Sequence, residues 1–271
     1  MRMGWLSVVL VMGLATAVAG EQPLLTGTIK SLDDVKLSFP VAGRLEGVLA
    51  KEGQTVKAGD VILHLDKSQE EFEVQRRQVV FNDRAKVEEA VSKERVLKVQ
   101  VDQARQLFAS NTISRKQLED EELSYNTAAA DRKALEAAKK RERIELDAAR
   151  ESLSRRYLRA PMNGVIVKLY FQIGESVGIH EPAVRLVDVS RVYFTGNFDG
   201  KWASVIKMGD KVKVRVGTDA TSPPRLGTVV FVSPVADLAS GLVEIKVEID
   251  NQDGTIRPGV SGQLLLAEGE G

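Results

Sequence analysis

The chain has 271 residues, room for two or three small domains, and its 38 basic and 38 acidic side chains cancel. That balance argues against a nucleic-acid binder, which carries a basic excess, and against dependence on anionic lipid. No cysteine is present, so no disulfide framework, thiol nucleophile or thiolate metal site can exist, and the only histidines are His64 and His180.

Residues 1–19 read as a signal peptide. Arg2 supplies a positive start, Trp5 to Ala19 is an apolar run, and Ala17-Val18-Ala19 is a small-x-small cleavage signal. The run falls short of the about 20 apolar residues a membrane-crossing helix needs, with an uncleaved anchor as the alternative. No cysteine follows it, which excludes a lipoprotein anchor. Residues 20–37 form an N-terminal segment in which Thr26 to Lys36 is strand-like.

An internal repeat comes next. Residues 40–66 match residues 161–187 at an offset of 121: Pro40 falls on Pro161, Gly43 on Gly164, Leu45 on Ile166, Gly53 on Gly174 and Val56 on Val177. Leu63 falls on Val184 and Leu65 on Leu186. Short alternating strands with glycine turns are expected over 38–66 and 157–187. Each half alone is too small to bury a core, so the two must pack on each other.

Between them, residues 67–156 are predicted to be helical. Residues 68–155 hold no proline or glycine, and the only strong interruption expected is Ala109 to Ile113. Two arms of nearly equal length predict an antiparallel hairpin with a thin heptad seam. The seam residues are Val80, Val87, Ala90, Leu97, Val101, Ala104 and Phe108 in the first arm. In the second they are Leu118, Tyr125, Ala128, Leu135, Leu146, Ala149 and Leu153, with Glu94, Arg132 and Lys139 as interruptions. Joining the half-sheets brings residues 66 and 157 together, so the helices must leave side by side. Residues 188–267 read as a small β-barrel, from the alternation of Lys211 to Val216, the runs 227–234 and 242–249, and the turn at Asn251 to Gly254. A short helix is expected over Lys201 to Lys207, and residues 268–271 are a tail.

Three segments carry a family resemblance. They are Leu25 to Ile29 with Pro40 to Gly47 and Glu52 to Asp66, then Leu158 to Val167 with Gly174 to Val177, and finally Arg257-Pro-Gly-Val260. In this order they resemble the membrane fusion proteins, periplasmic adaptors of efflux and type I secretion systems. The resemblance implies a mainly β fold: a split lipoyl-like domain with an inserted antiparallel coiled coil, plus a small β-barrel. It also implies a periplasmic homo-oligomer, often a hexamer, linking an inner-membrane RND or ABC transporter to a TolC-type outer-membrane duct. The family's tip motif is an Arg-Leu pair, a later Leu, and a Ser seven residues after that Leu. Leu107 and Ser114 match the last two, whereas Asp102 and Gln103 stand where Arg and Leu are expected, with Arg105 and Arg115 out of register. The partner-binding residues expected at the tip are Leu107, Asn111, Ser114 and Arg115. Ser114 also reads as a helix N-cap with Gln117 completing a capping box, and Leu107 as ordinary hairpin packing. The family usually continues past its Pro-Gly segment into a membrane-proximal domain; with eleven residues after Val260, that domain is expected to be absent or reduced. Contact with a transporter would then fall to the barrel and the N-terminal segment.

Other readings weigh less. Asp66-Lys67 is the dipeptide of a lipoyl or biotin carrier, but it lies where the sheet departs into the helices, not on a tight hairpin. No nucleophile–histidine–acid set or phosphate-cradling glycine loop is apparent, so no catalytic residue and no cofactor is expected. Met162 and Met208 with two separated histidines make no soft-metal cluster, so no metal ligand is expected. A coiled-coil scaffold or chaperone without a transporter would explain the helices but not the split repeat.

Overall fold

The computed structural model describes residues 25–217 and 222–265, so the signal peptide expected over 1–19 and the tail over 268–271 lie outside the described residues. The chain divides into two compact units, Leu32–Val189 and Met1–Ser31 with Ser190–Gly271. The architecture is mainly β, with one helical insertion.

The elements of the first unit begin with β1 (Leu25–Ser38), whose first residues belong to the second unit, then β2 (Gly43–Val48), β3 (Thr55–Val56) and β4 (Val61–Leu65). The helices α1 (Ser68–Asn82), α2 (Ala85–Ala109) and α3 (Arg115–Ser154) follow. The chain then returns through β5 (Tyr157–Arg159), β6 (Gly164–Leu169), β7 (Ser176–Val177) and β8 (Pro182–Asp199), which runs on into the second unit. The sequence repeat is a structural one: β2, β3 and β4 have their counterparts in β6, β7 and the start of β8. Each half lends its two-residue strand to the other. β3 pairs with β6, Thr55 opposite Val165, and β7 pairs with β2, Ser176 opposite Arg44. The bonds beside these strands repeat too. Leu45 N donates to Glu175 O and Ile166 N to Gln54 O, while Gly53 N donates to Ile166 O and Gly174 N to Leu45 O. Even the bulge recurs, between Leu45 and Gly47 and between Ile166 and Lys168. Leu45, Val56, Leu65, Ile166, Val177 and Leu186 are buried in the shared core. Neither half could bury such a set alone, which is why the halves interlock.

Leu65 N donates to Arg156 O at 2.8 Å, so the two ends of the helical insertion are neighbours. Lys67 immediately precedes α1, and its Nζ lies 2.6 Å from Glu71. It is a helix-entry residue rather than the tip of a tight hairpin. Val101, Ala104, Ala128, Leu146 and Ala149 are buried in the seam, as the heptads predict, but Val80 and Phe108 remain exposed. The expectation of a first arm unbroken from residue 68 to the tip is also corrected. Asp83 is extended at φ −70° and ψ 108°, separating α1 from α2. Lys139 reaches across from α3 and donates to Val80 O at 2.9 Å and Phe81 O at 3.3 Å, satisfying carbonyls that the end of α1 leaves free. Two other seam interruptions answer one another: Arg132 bridges Glu94 across the seam and donates to Glu136 at 2.5 Å.

In the second unit, β8 leads to α4 (Gly200–Ala203), β9 (Lys211–Val216), β10 (Arg225–Val232), β11 (Leu242–Asp250) and β12 (Ser261–Leu265). The order β1-β12-β9-β10-β11-β8, with β8 pairing back to β1, closes six strands into a barrel. Alternation places Val212 and Val214 inside with Phe194, Ile245, Val247 and Leu264. The helix expected over Lys201 to Lys207 is a single turn, because Lys207 N caps onto Asp210 at 2.8 Å and turns the chain into β9. Asn251, buried, ties the following turn by donating to Ile256 O at 2.9 Å and accepting from Ile256 N at 2.8 Å. Gly259, at φ 100°, donates to Ile29 O, and Ile29 N donates to Val260 O, fastening the Arg257–Val260 segment to β1.

Candidate functional site

The tip of the hairpin is the site that the sequence singled out, and the local chemistry of helix ends builds it. α2 stops at Ala109, with Ser110 as its C-cap. Asn111 takes a left-handed conformation at φ 56°, one that asparagine tolerates better than most side chains. Its N–H donates to Phe108 O at 2.9 Å, and that of Thr112 to Leu107 O at 2.8 Å. This is a Schellman ending, which consumes the last carbonyls of α2. Ser110 Oγ adds a bond to Leu107 O at 2.9 Å and lies 2.9 Å from Thr112 Oγ1.

α3 starts just beyond with a complete capping box. Gln117 N donates to Ser114 Oγ at 3.2 Å, and Ser114 N donates to Gln117 Oε1 at 2.9 Å. Below the turn, Arg105 donates to Glu122 at 2.9 and 3.0 Å, joining α2 to α3, and lies 3.7 Å from Asp102. The turn is therefore knit together at both helix ends and clamped behind them.

The four expected residues fall within this one turn, in different roles. Asn111 and Ser114 shape the backbone. Arg115 is 83% exposed and, among the described residues, pairs only with Glu119 on its own helix, at 2.8 Å. Leu107 is 44% exposed, so hairpin packing covers only part of its surface. Sequence reasoning missed its neighbour: Phe108, assigned to the seam, is exposed beside it. It also missed Arg105 as a clamp, for which the pairing of its charge with Glu122 across the turn was the available signal. The tip thus presents apolar Leu107 and Phe108, a cation at Arg115, and small hydroxyls on a stiff backbone.

Neither histidine joins this site. His64 Nδ1 lies 3.2 Å from Leu65 O and 3.4 Å from Glu46, on β4. His180 sits in the turn before β8, its N–H donating to Phe39 O at 3.1 Å. Among the described residues, no group of three or more His, Asp or Glu side chains could hold a metal ion. Among them, too, no helix is long and apolar enough to cross a membrane.

Comparison with known proteins agrees with this architecture. The chain is 27% identical over 266 residues to the multidrug resistance protein MdtA of Escherichia coli, covering 93% of this chain and 60% of MdtA. It thus spans about three fifths of that relative's length. The crystal structure of MacA from Actinobacillus actinomycetemcomitans superposes with a TM-score of 0.72 at 18% identity, covering 89% of this chain and 76% of MacA. The membrane fusion protein Spr0693 of Streptococcus pneumoniae gives a TM-score of 0.58 at 16% identity, covering 92% of this chain and all of the other. Residues 33–188, with the split sheet and the whole hairpin, match the barrel-sandwich hybrid domain of RND membrane fusion proteins, and the chain belongs to that family.

Proposed function

We propose that this protein is a periplasmic adaptor of a tripartite efflux or secretion system, holding an inner-membrane RND or ABC transporter and a TolC-type outer-membrane duct in register. The observation that carries this is the insertion of a hairpin between the two halves of a locked sheet. The 40 residues of α3 reach about 60 Å at 1.5 Å per residue. A stalk of that length, ending in a stiff turn with exposed Leu107, Phe108 and Arg115, is suited to docking on something distant. The expected work is mechanical and conductive: helix tips meet helix tips, and cargo passes to the duct.

Each tip contact is weak, since an exposed ion pair contributes about 0 to 1 kcal/mol. A homo-oligomer, six copies by family resemblance, would multiply such contacts into a stable joint. The likeness to MdtA, a multidrug resistance protein, favours drugs as cargo. The sequence departs from the usual tip motif at Asp102 and Gln103, so Leu107, Asn111, Ser114 and Arg115 would make the joint with a different set of polar contacts.

The test is photo-crosslinking in living cells from positions 107 and 115. These serve better than Asn111, whose left-handed backbone the tip requires. Capture of an outer-membrane duct protein is the expected result. Crosslinks only between copies of this chain, or to no envelope protein, would favour a coiled-coil scaffold instead.

A further inference from the structure

The zero net charge of the chain is an average over barrel faces that are not alike. In the barrel, the cations of β8, β10 and β11 are neutralised. Arg191 lies 3.1 Å from Glu248, Arg225 2.9 Å from Asp253, and Lys246 3.7 Å from Glu244. β9 is different. Val212 and Val214 point into the core, so alternation sends Lys211, Lys213 and Arg215 outward. Among the described residues, none of these three is in an ion pair; Lys211 Nζ donates to Thr228 Oγ1 at 2.6 Å instead.

The strands beside β9 add no acid. Residues directly opposite one another in an antiparallel pair share a face. On β10, Lys211 stands opposite Thr228 and Lys213 opposite Leu226; on β12, Lys213 stands opposite Leu265 and Arg215 opposite Gln263. Gln263 in turn faces Thr26 of β1, and Ser261 faces Thr28. Lys30, next to buried Ile29 and itself exposed, adds a fourth cation. The carboxylate nearest along the chain, Asp210, accepts from Lys207 N at 2.8 Å and belongs to the turn before β9. The outward side of β9, β12 and β1 thus carries four cations among hydroxyls and an amide, with Leu226 at its margin 69% exposed.

Two observations say what covers this face. Cations spread along a strand at about 7 Å intervals, with a leucine standing beside them, suit a diffuse anionic surface with an apolar interior better than a single carboxylate. The chain also enters the barrel here. Leu25 pairs with Leu264, and the apolar run that ends at Ala19 lies six residues earlier, a span of at most about 20 Å. The membrane that takes up this run during export is therefore within reach of the face.

We infer that the outward side of β9, β12 and β1 rests on a bilayer surface of anionic phospholipid, with Lys30, Lys211, Lys213 and Arg215 over the headgroups and Leu226 dipping between them. This rests on the inner-membrane association in the proposed function and names the barrel face that makes it. Attraction to an anionic surface is short-ranged and local, so the balance of charge over the whole chain does not oppose it.

The absence of cysteine in the chain makes the test clean. Leu226→Cys, in the full chain as isolated from the cell envelope, is labelled with a polarity-sensitive dye and titrated with vesicles of phosphatidylethanolamine and phosphatidylglycerol, or of phosphatidylcholine alone. The dye should shift to the blue on the anionic vesicles only, and the same dye at Thr195→Cys, on the opposite side of the barrel, should not shift. Adding Lys211→Gln and Lys213→Gln should raise the lipid needed for half the shift by about tenfold or more, at about fivefold per cation. Adding Arg191→Gln and Lys246→Gln, an equal change in net charge, should alter it by less than about twofold. Equal shifts on both vesicle types, or equal losses from the two double variants, would overturn the inference. So would a silent dye, including the case in which photo-crosslinking from position 213 in cells captures an acidic protein instead. Failure of the hairpin tip to capture a duct would leave these titrations unchanged, so the two readings fail separately.

Discussion

The two halves of the split sheet are the same scaffold built twice, and they differ where the scaffold permits. Backbone bonds and buried aliphatic side chains repeat at the 121-residue offset, down to the bulge in each long strand. In the first turn both halves keep glycine, Gly53 at φ 82° and Gly174 at φ 95°. The second turn is different: Gly59 stands at φ 93°, and its counterpart is His180 at φ 60°. Exits differ as well. β4 passes into the helical hairpin, whereas its counterpart continues unbroken as β8 into the second unit. Register is thus fixed by what is buried and hydrogen-bonded, while exposed turns and exits are free to diverge.

The largest test of this equivalence lies in the core. Leu65 and Leu186 occupy matching positions and are both fully buried. Leu65→Ala and Leu186→Ala should each destabilise the protein by about 2–5 kcal/mol, with the two values alike. Chemical denaturation of the single variants checks this. A cost confined to one of the pair would mean that the halves do not share one core.

A smaller effect is expected in the second turn. A Cβ added at Gly59 would meet nothing within 4 Å, so any cost of Gly59→Ala is the cost of the backbone angle alone. That substitution should lose about 1 kcal/mol. His180→Gly should cost nothing or gain up to about 1 kcal/mol, because it relieves the same strain. Thermal melting of both variants decides it, and a neutral Gly59→Ala would show that the two turns are not under the same constraint.

This repeat was the most legible part of the sequence, because glycine and proline spacing reports backbone demands directly. The seam was partly legible: Val101, Ala104, Ala128, Leu146 and Ala149 stand where the heptads put them. Heptads score spacing and cannot see a break that keeps the period. The interruption at Asp83 leaves Val80 and Val87 seven apart, and only the weak helix formers Asn82 and Asp83 hinted at it. Nor could apolar spacing reveal the polar pairs across this end of the hairpin, Glu70 with Arg156, Arg77 with Glu145 and Gln78 with Arg150, since the partners lie 68 to 86 residues apart. At the tip, the capping box was readable from Ser114 and Gln117, being local. The exposure of Leu107 and Phe108 was not, because it depends on where the opposing helix ends.

The smallest expected effect concerns one position where the halves carry different bases. Counterpart of His64 is Arg185, which donates to Asp34 of β1 at 2.5 and 2.9 Å. The Arg185 guanidinium, through those hydrogen bonds first and its charge second, holds the Asp34 carboxyl below the ordinary aspartate value of 3.8. A carboxyl whose folded value is depressed binds its proton more readily in the unfolded chain. The bridge therefore stabilises the fold above about pH 4, and that stabilisation is lost as pH falls through the folded value. Both side chains are partly exposed, so the effect is modest and weakens with salt. Arg185→Ala should be less stable than the parent at neutral pH, and the gap should narrow steadily below about pH 4. Urea denaturation of the two proteins across that range measures it. A gap that holds constant down to pH 2 would show that Arg185 acts through the packing of its aliphatic stem on the sheet rather than through the charge of Asp34.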